Sequence, residues 1–97
     1  MKKVIVIDPG RIKERKPAHE YMHEIFSFES FYGRNLDALA DALSEVHEEY
    51  ELVFTPESIT EICENAYAYK ILMVLGQAAN TNPYIHVVFK PSPKPKN

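Results

Sequence analysis

One cysteine, three scattered glycines and no long apolar run mark this 97-residue chain, and each shortage removes a class of protein. Cys63 has no second cysteine with which to close a disulfide. With Ile59 and Ile62 as apolar helical neighbours, it reads as a packed thiol in a reducing compartment. The glycines form no phosphate-cradling loop, and there is neither a serine-nucleophile motif nor a pair of cysteines for a metal. No cofactor is expected. The apolar run from Val4 to Ile7 stops at Asp8-Pro9, too short for a secretion signal or a membrane span. The chain is therefore expected to act in the cytoplasm, away from membranes.

The middle of the chain also lacks positive charge. From Asn35 through Tyr69 there is no lysine or arginine, and between Pro17 and Phe89 only Arg34 and Lys70 face twelve acids. The basic residues gather at the ends: Lys2, Lys3, Arg11, Lys13, Arg15 and Lys16 before Pro17, and three lysines after Phe89. An acidic surface of this kind repels nucleic acid and attracts a basic partner. The basic ends have little aromatic interleaving, so no nucleic-acid role is read into residues 11–16.

What is present suffices for one hydrophobic core. At 45% hydrophobic content a chain of this length makes a single domain, here residues 1–90, followed by a Pro/Lys tail over 91–97 that is expected to be extended and mobile. Val4 to Ile7, Leu52 to Phe54 and Tyr84 to Phe89 are continuous apolar runs, which predict strands buried on both faces. His86, inside the last of them, reads as a core histidine. Helical spacing follows Pro17, through Ala18, Tyr21, Met22, Ile25 and Phe26. A second helix starts at the cap Asn35, with Leu36, Leu39, Ala40, Leu43 and Val46 on one stripe. Thr55-Pro56 opens a third, and after a break near Asn65 the stretch Ala66 to Ala79 reads as a largely buried helix that includes Gly76. Tyr67 and Tyr69 are read as packing residues. Strands separated by helices imply parallel pairing, so the expected fold is α/β, a three-stranded parallel sheet packed with about four helices.

The second helix carries the functional signal. Asp37, Asp41 and Glu45 recur every four residues on the face away from Leu36, Leu39 and Leu43. Asp37 gains about 0.3–1 kcal/mol from the helix dipole, and Arg34 stands near enough in sequence to screen it. Asp41 lies beyond that benefit and has an acid one turn to either side, each such pair costing about 0.2–0.5 kcal/mol. A solvated helix face tolerates such a column, and a helix directed at a cationic site requires one.

The block Phe31-Tyr32-Gly33-Arg34-Asn35-Leu36-Asp37-Ala38-Leu39-Ala40-Asp41-Ala42-Leu43 resembles the signature of the barstar family, and the order of elements resembles that family too. The resemblance implies an intracellular inhibitor of barnase-type ribonucleases, monomeric when free, whose loop from Ser30 to Arg34 and following helix plug the nuclease cleft. It makes Asp41 the main anchor, placed where a substrate phosphate would lie, and gives Asp37 a neighbouring cation. Phe31, Tyr32, Gly33, Asn35, Ala38 and Glu45 complete the expected contact surface, with Gly33 letting the loop turn and Phe31 or Tyr32 offering an aromatic face. Phe31 stands in place of a second tyrosine and Ala40 in place of an aromatic. Gln77 stands where the prototype has a further partner-facing glutamate.

Two other readings compete. His19-Glu20-Tyr21-Met22-His23 matches the H-E-x-x-H pattern of zinc peptidases, but Glu24 follows where those enzymes prefer an uncharged residue and no third ligand is evident. Its plainer alternative is two exposed histidines on an amphipathic helix. An acidic adaptor for some other basic protein would use the same helix face.

Overall fold

The computed structural model describes residues 2–28 and 32–91. Phe31, and the expected tail beyond Pro91, lie outside the described residues. The chain runs β1 (Lys3–Val6), a short 3-10 turn (Pro9–Arg11), α1 (Arg15–Phe26), α2 (Leu36–Ser44), β2 (Tyr50–Phe54), α3 (Pro56–Cys63), α4 (Ala66–Thr81) and β3 (Ile85–Phe89). This is the expected alternation of strands and helix pairs. α1 begins two residues ahead of Pro17, which therefore sits in the first turn, where its missing N–H leaves no helical bond unmade. It ends at Ser27, whose left-handed backbone (φ 55°) lets its N–H reach the His23 carbonyl at 2.8 Å.

The sheet order is β1-β2-β3 with both pairs parallel, in a register that aligns Ile5, Leu52 and Val87. β2 is buried along its whole length, as a central strand should be. The expectation of burial on both faces fails for the two outer strands. Val4 and Val6 are 55% and 57% exposed, and His86 is no core histidine but an exposed one whose ring meets Glu49 at 3.1 Å. The reason lies in the topology. Both crossovers step across the sheet in the same direction, so two right-handed connections put all the helices on one face. The rows Val4–Glu51–His86 and Val6–Val53–Val88 belong to the other, open face. Glu51 is buried there beneath Lys2 and Lys90, at 3.0 and 2.9 Å. The hydrogen bond from Lys90, and then that from Lys2, holds its carboxyl below the usual carboxylate range.

On the covered face Tyr50, Leu52, Phe54 and Ile85 meet Met22 and Phe26 of α1, Leu39 and Leu43 of α2, Ile62 of α3, and Ile71 and Leu75 of α4 in one core. Each fully buried aliphatic side chain stabilises the fold by about 1.5–3 kcal/mol. Two expectations need correction here. Cys63, the last residue of α3, is exposed rather than packed, because Ile62 takes the inward position. α4 is buried along one stripe only, Ala68, Ile71, Leu75 and Ala78, and Tyr69 and Met73 stand outside it. Among the described residues no helix is long and apolar enough to cross a membrane.

Gly76 occupies the interior of α4, and a methyl group there would meet nothing within 4 Å. Gly76→Ala should therefore raise the unfolding free energy by about 0.5–1 kcal/mol in urea denaturation. A loss of stability would show that the helix is not continuous through that residue.

Candidate partner-binding site

The direction in which α2 presents its acids is set by what lies beneath it. Leu39 and Leu43 are fully buried, and this phase turns Asp37 and Asp41 to the solvent. The helix starts where Asn35 dictates: its side-chain oxygen accepts from the Ala38 N–H at 2.7 Å, and its carbonyl accepts from the Leu39 N–H at 2.9 Å. Gly33 serves closeness here rather than an unusual turn. Its φ is not positive, and a Cβ at this position would lie 3.0 Å from that of Ala38. The left-handed residue is Arg34, with φ 55°. Its guanidinium points back to the Tyr32 carbonyl at 3.4 Å and forms no ion pair with Asp37, so the screening anticipated from sequence is not found.

The other end of α2 is held by a residue that sequence reading assigned only to a turn. Asn82 is buried, and its amide donates at 2.9 Å to both the Leu43 and the Val46 carbonyls, while its oxygen accepts from the Tyr84 N–H. Carbonyls at a helix C-terminus lack intrahelical partners. One side chain thus ties the end of α2 to the entry of β3. The Leu43 carbonyl also accepts from the Val46 N–H at 3.2 Å, so the group that these contacts keep from being buried unpaired is above all the Asn82 amide, at a cost of about 1–3 kcal/mol if they were lost. The turn Asn80-Thr81-Asn82-Pro83 offers two asparagines, and nothing local marks Asn82 as the partner of a helix end about 40 residues earlier.

The loop before α2 is anchored from below. Tyr32 is 7% exposed, and its hydroxyl is hydrogen bonded to Nδ1 of the fully buried His19, whose Nε2 meets the Tyr67 hydroxyl at 2.6 Å. One ring nitrogen donates and the other accepts. The expectation of an exposed His19 is overturned, because α1 turns this residue toward the loop and α4. Both ring nitrogens are engaged by tyrosines, so neither remains to ligate a metal, which removes the H-E-x-x-H reading at its first ligand. Among the described residues no group of three or more metal-ligating side chains is gathered in one place. Burial, and then the nearby Arg15 and Arg34, push the His19 imidazole below its ordinary value, and burial raises the Tyr32 hydroxyl. Tyr67 serves this network, whereas Tyr69 is exposed.

Charge is distributed just as unevenly in space. Glu48 pairs with Lys3, Glu51 with Lys2 and Lys90, Glu61 with Lys13, and Glu24 with Arg11. Asp37, Asp41 and Glu45 are all exposed, and none of the ion pairs among the described residues includes them. Glu45 is the C-cap of α2, where the helix dipole opposes a negative charge. Gln77 is exposed on α4, which packs against α2. Beside the acidic column lies a groove of about 590 Å³, walled by Phe28, Tyr50, Ala42 and Val46 and edged by Asp41 and Glu45.

A protein-family model described as Barstar (barnase inhibitor) matches residues 2–90. No curated protein matches the chain.

The His19 network makes stability depend on pH in a defined direction. The unfolded imidazole titrates near 6.5 and the folded one lower, so the unfolded state binds more protons between those values. The contribution of His19 is complete above pH 6.5 and declines as pH falls below it, by at most about 1.4 kcal/mol per pH unit for one proton. Following the His19 ring resonances by NMR should locate its folded titration below 6.5; a midpoint above that value would contradict the buried, neutral assignment.

Proposed function

This chain belongs to the barstar family, and from that premise we propose that it inhibits a barnase-type extracellular ribonuclease in the cytoplasm of the cell that makes the enzyme. The observation that carries the proposal is the column Asp37, Asp41 and Glu45, exposed on a helix held at both ends and unpaired among the described residues. A ribonuclease binds the phosphates of its substrate with arginine, lysine and histidine side chains. Carboxylates delivered on a fixed helix supply the same charge to the same groups without offering a bond to cleave.

Asp41 is the anchor in this reading. It stands mid-helix, gains nothing from the helix dipole, and projects from the turn directly above the buried Leu39 and Leu43. Asp37 meets a neighbouring cation, and Glu45 extends the field toward the C-terminal end. Charge-assisted contacts to arginine are short and often bidentate. At about 4 Å and an effective dielectric near 20, each pair gains roughly 4 kcal/mol before desolvation is subtracted. A rigid helix adds to this, since little conformational entropy remains to be lost on docking. Tyr32 acts beneath the surface as the anchor of the loop, and Gly33 and Ala38 bring the loop close against the first turn of α2.

Titrating a barnase-type ribonuclease with the chain should abolish activity at a one-to-one ratio, and raising the salt concentration should weaken the inhibition. Asp41→Ala should cost about 3 kcal/mol or more, on the order of a hundredfold in the inhibition constant, because it leaves a buried cation of the enzyme unpaired. An Asp41→Ala protein that inhibits as well as the parent would remove Asp41 as the anchor.

A further inference from the structure

The outer side of β1 is an edge without a guard. Lys3 donates its N–H to the Glu49 carbonyl and Ile7 donates to that of Val53, so the odd residues of the strand bond to β2. The N–H and C=O groups of Val4 and Val6 therefore point out of the sheet. β2 is the only described element that packs extensively on β1. The same two residues, Val4 and Val6, carry exposed apolar side chains on the open face. Edge strands are ordinarily blunted by an outward lysine, a proline or a bulge. The two lysines at the start of this edge turn the other way, across the sheet, Lys2 to Glu51 at 3.0 Å and Lys3 to Glu48 at 3.2 Å. Pro9 follows only after the strand has ended. Val4-Ile5-Val6 is thus a β-branched apolar run with free backbone groups and no charge to protect it.

We propose that this edge binds a second copy of the chain, β1 against β1 in antiparallel order about a twofold axis at Ile5, so that the two sheets join into one. The spacing of the free groups selects this register. Val4 of each copy exchanges both backbone hydrogen bonds with Val6 of the other, and Ile5 faces Ile5 across the axis. The valines of the two copies then lie side by side on the open face, as cross-strand pairs do. Charge agrees with this choice. Antiparallel pairing about Ile5 sets Lys2 of one copy opposite Asp8 of the other, both exposed, whereas in-register parallel pairing would set Lys2 against Lys2. The ladder itself ends at Val6, because the Asp8 N–H is already given to the Tyr21 hydroxyl at 3.0 Å. An extended segment of another protein would find the same backbone groups without the matching valines and the charge pair.

So short a ladder makes a weak dimer, with Kd on the order of 0.1 mM, and the free monomer implied by the family resemblance is its dilute limit. The acidic face takes no part. α2 packs on α4 rather than on the outer edge of β1, so Asp37, Asp41 and Glu45 stay exposed and the joined sheet carries two acidic helices on the same side. Pairing through β1 therefore does not depend on the inhibitor reading.

Sedimentation velocity from about 10 μM to about 1 mM tests the pairing, with Val6→Lys, Val6→Thr and Phe89→Lys run beside the parent and a thermal unfolding curve for each to confirm folding. The parent and Val6→Thr should pass from monomer to dimer with a midpoint on the order of 0.1 mM, and Val6→Lys should stay monomeric. Phe89→Lys, which places the same charge on the opposite edge strand, should behave as the parent. Amide hydrogen exchange on the parent gives a readout that needs no variant: Val4 and Val6 should exchange about threefold more slowly at about 1 mM than at about 0.05 mM, because pairing occupies their N–H groups. A parent that remains monomeric at about 1 mM would overturn the proposal. So would a dimer that survives Val6→Lys, or one in which the Val4 and Val6 amides exchange at the same rate at both concentrations.

Discussion

A helix whose only charged side chains are carboxylates turned to solvent contributes little to its own placement, so it has to be held from beneath and from its ends. α2 is nine residues long, too short to be stable in isolation. It is held by Leu39 and Leu43 in the core, by the Asn35 cap at its start and by the Asn82 amide at its finish. The His19 imidazole, bridging Tyr32 and Tyr67, fixes the loop that leads into it. These contacts come from α1, α4 and the entry to β3, so elements far apart along the chain join to mount one helix.

That mounting gives the charge pattern its meaning. Surface acids ordinarily contribute little, and a nearby cation makes them weaker still as ligands for a partner. Here the lysines and Arg11 near the chain ends pair with Glu24, Glu48, Glu51 and Glu61, while the acids of α2 are left out of those pairs. The absence of lysine and arginine from 35 to 69 is thus also a spatial absence of counterions around α2 among the described residues. The helix tolerates the resulting repulsion, and Glu45 against the dipole, at a cost of a few tenths to about 1 kcal/mol each. On the proposed inhibitor reading that cost has a purpose, since charges that repel one another in the free protein would find cations in a ribonuclease cleft.

The elements governed by local rules were legible in the sequence. The Asn35 cap and the Leu36, Leu39, Leu43 stripe located α2 and the outward direction of Asp37 and Asp41, and the alternation of apolar runs with helical spacing led to a parallel α/β sheet. What was not legible depends on partners distant along the chain. His19 is buried because residues 13 and 48 positions away close over it, which no helical period records. Asn82 caps a helix that ended about 40 residues earlier. His86 and Val4 looked like core residues because an apolar run cannot tell an edge strand from a central one, nor a covered face from an open one. Gly33 is favoured by the proximity of Ala38, which a Cβ would crowd at 3.0 Å, a contact that exists only once the loop has folded against α2.

The most direct test of the central claim, that the acidic face of α2 is the surface offered to a partner, is a map of backbone amide shifts as a barnase-type ribonuclease is added. The account predicts changes concentrated at Gly33, Asp37, Asp41 and Glu45, with Val4, Val6 and His86 on the open face of the sheet unaffected. Changes confined to that open face, with α2 silent, would contradict it.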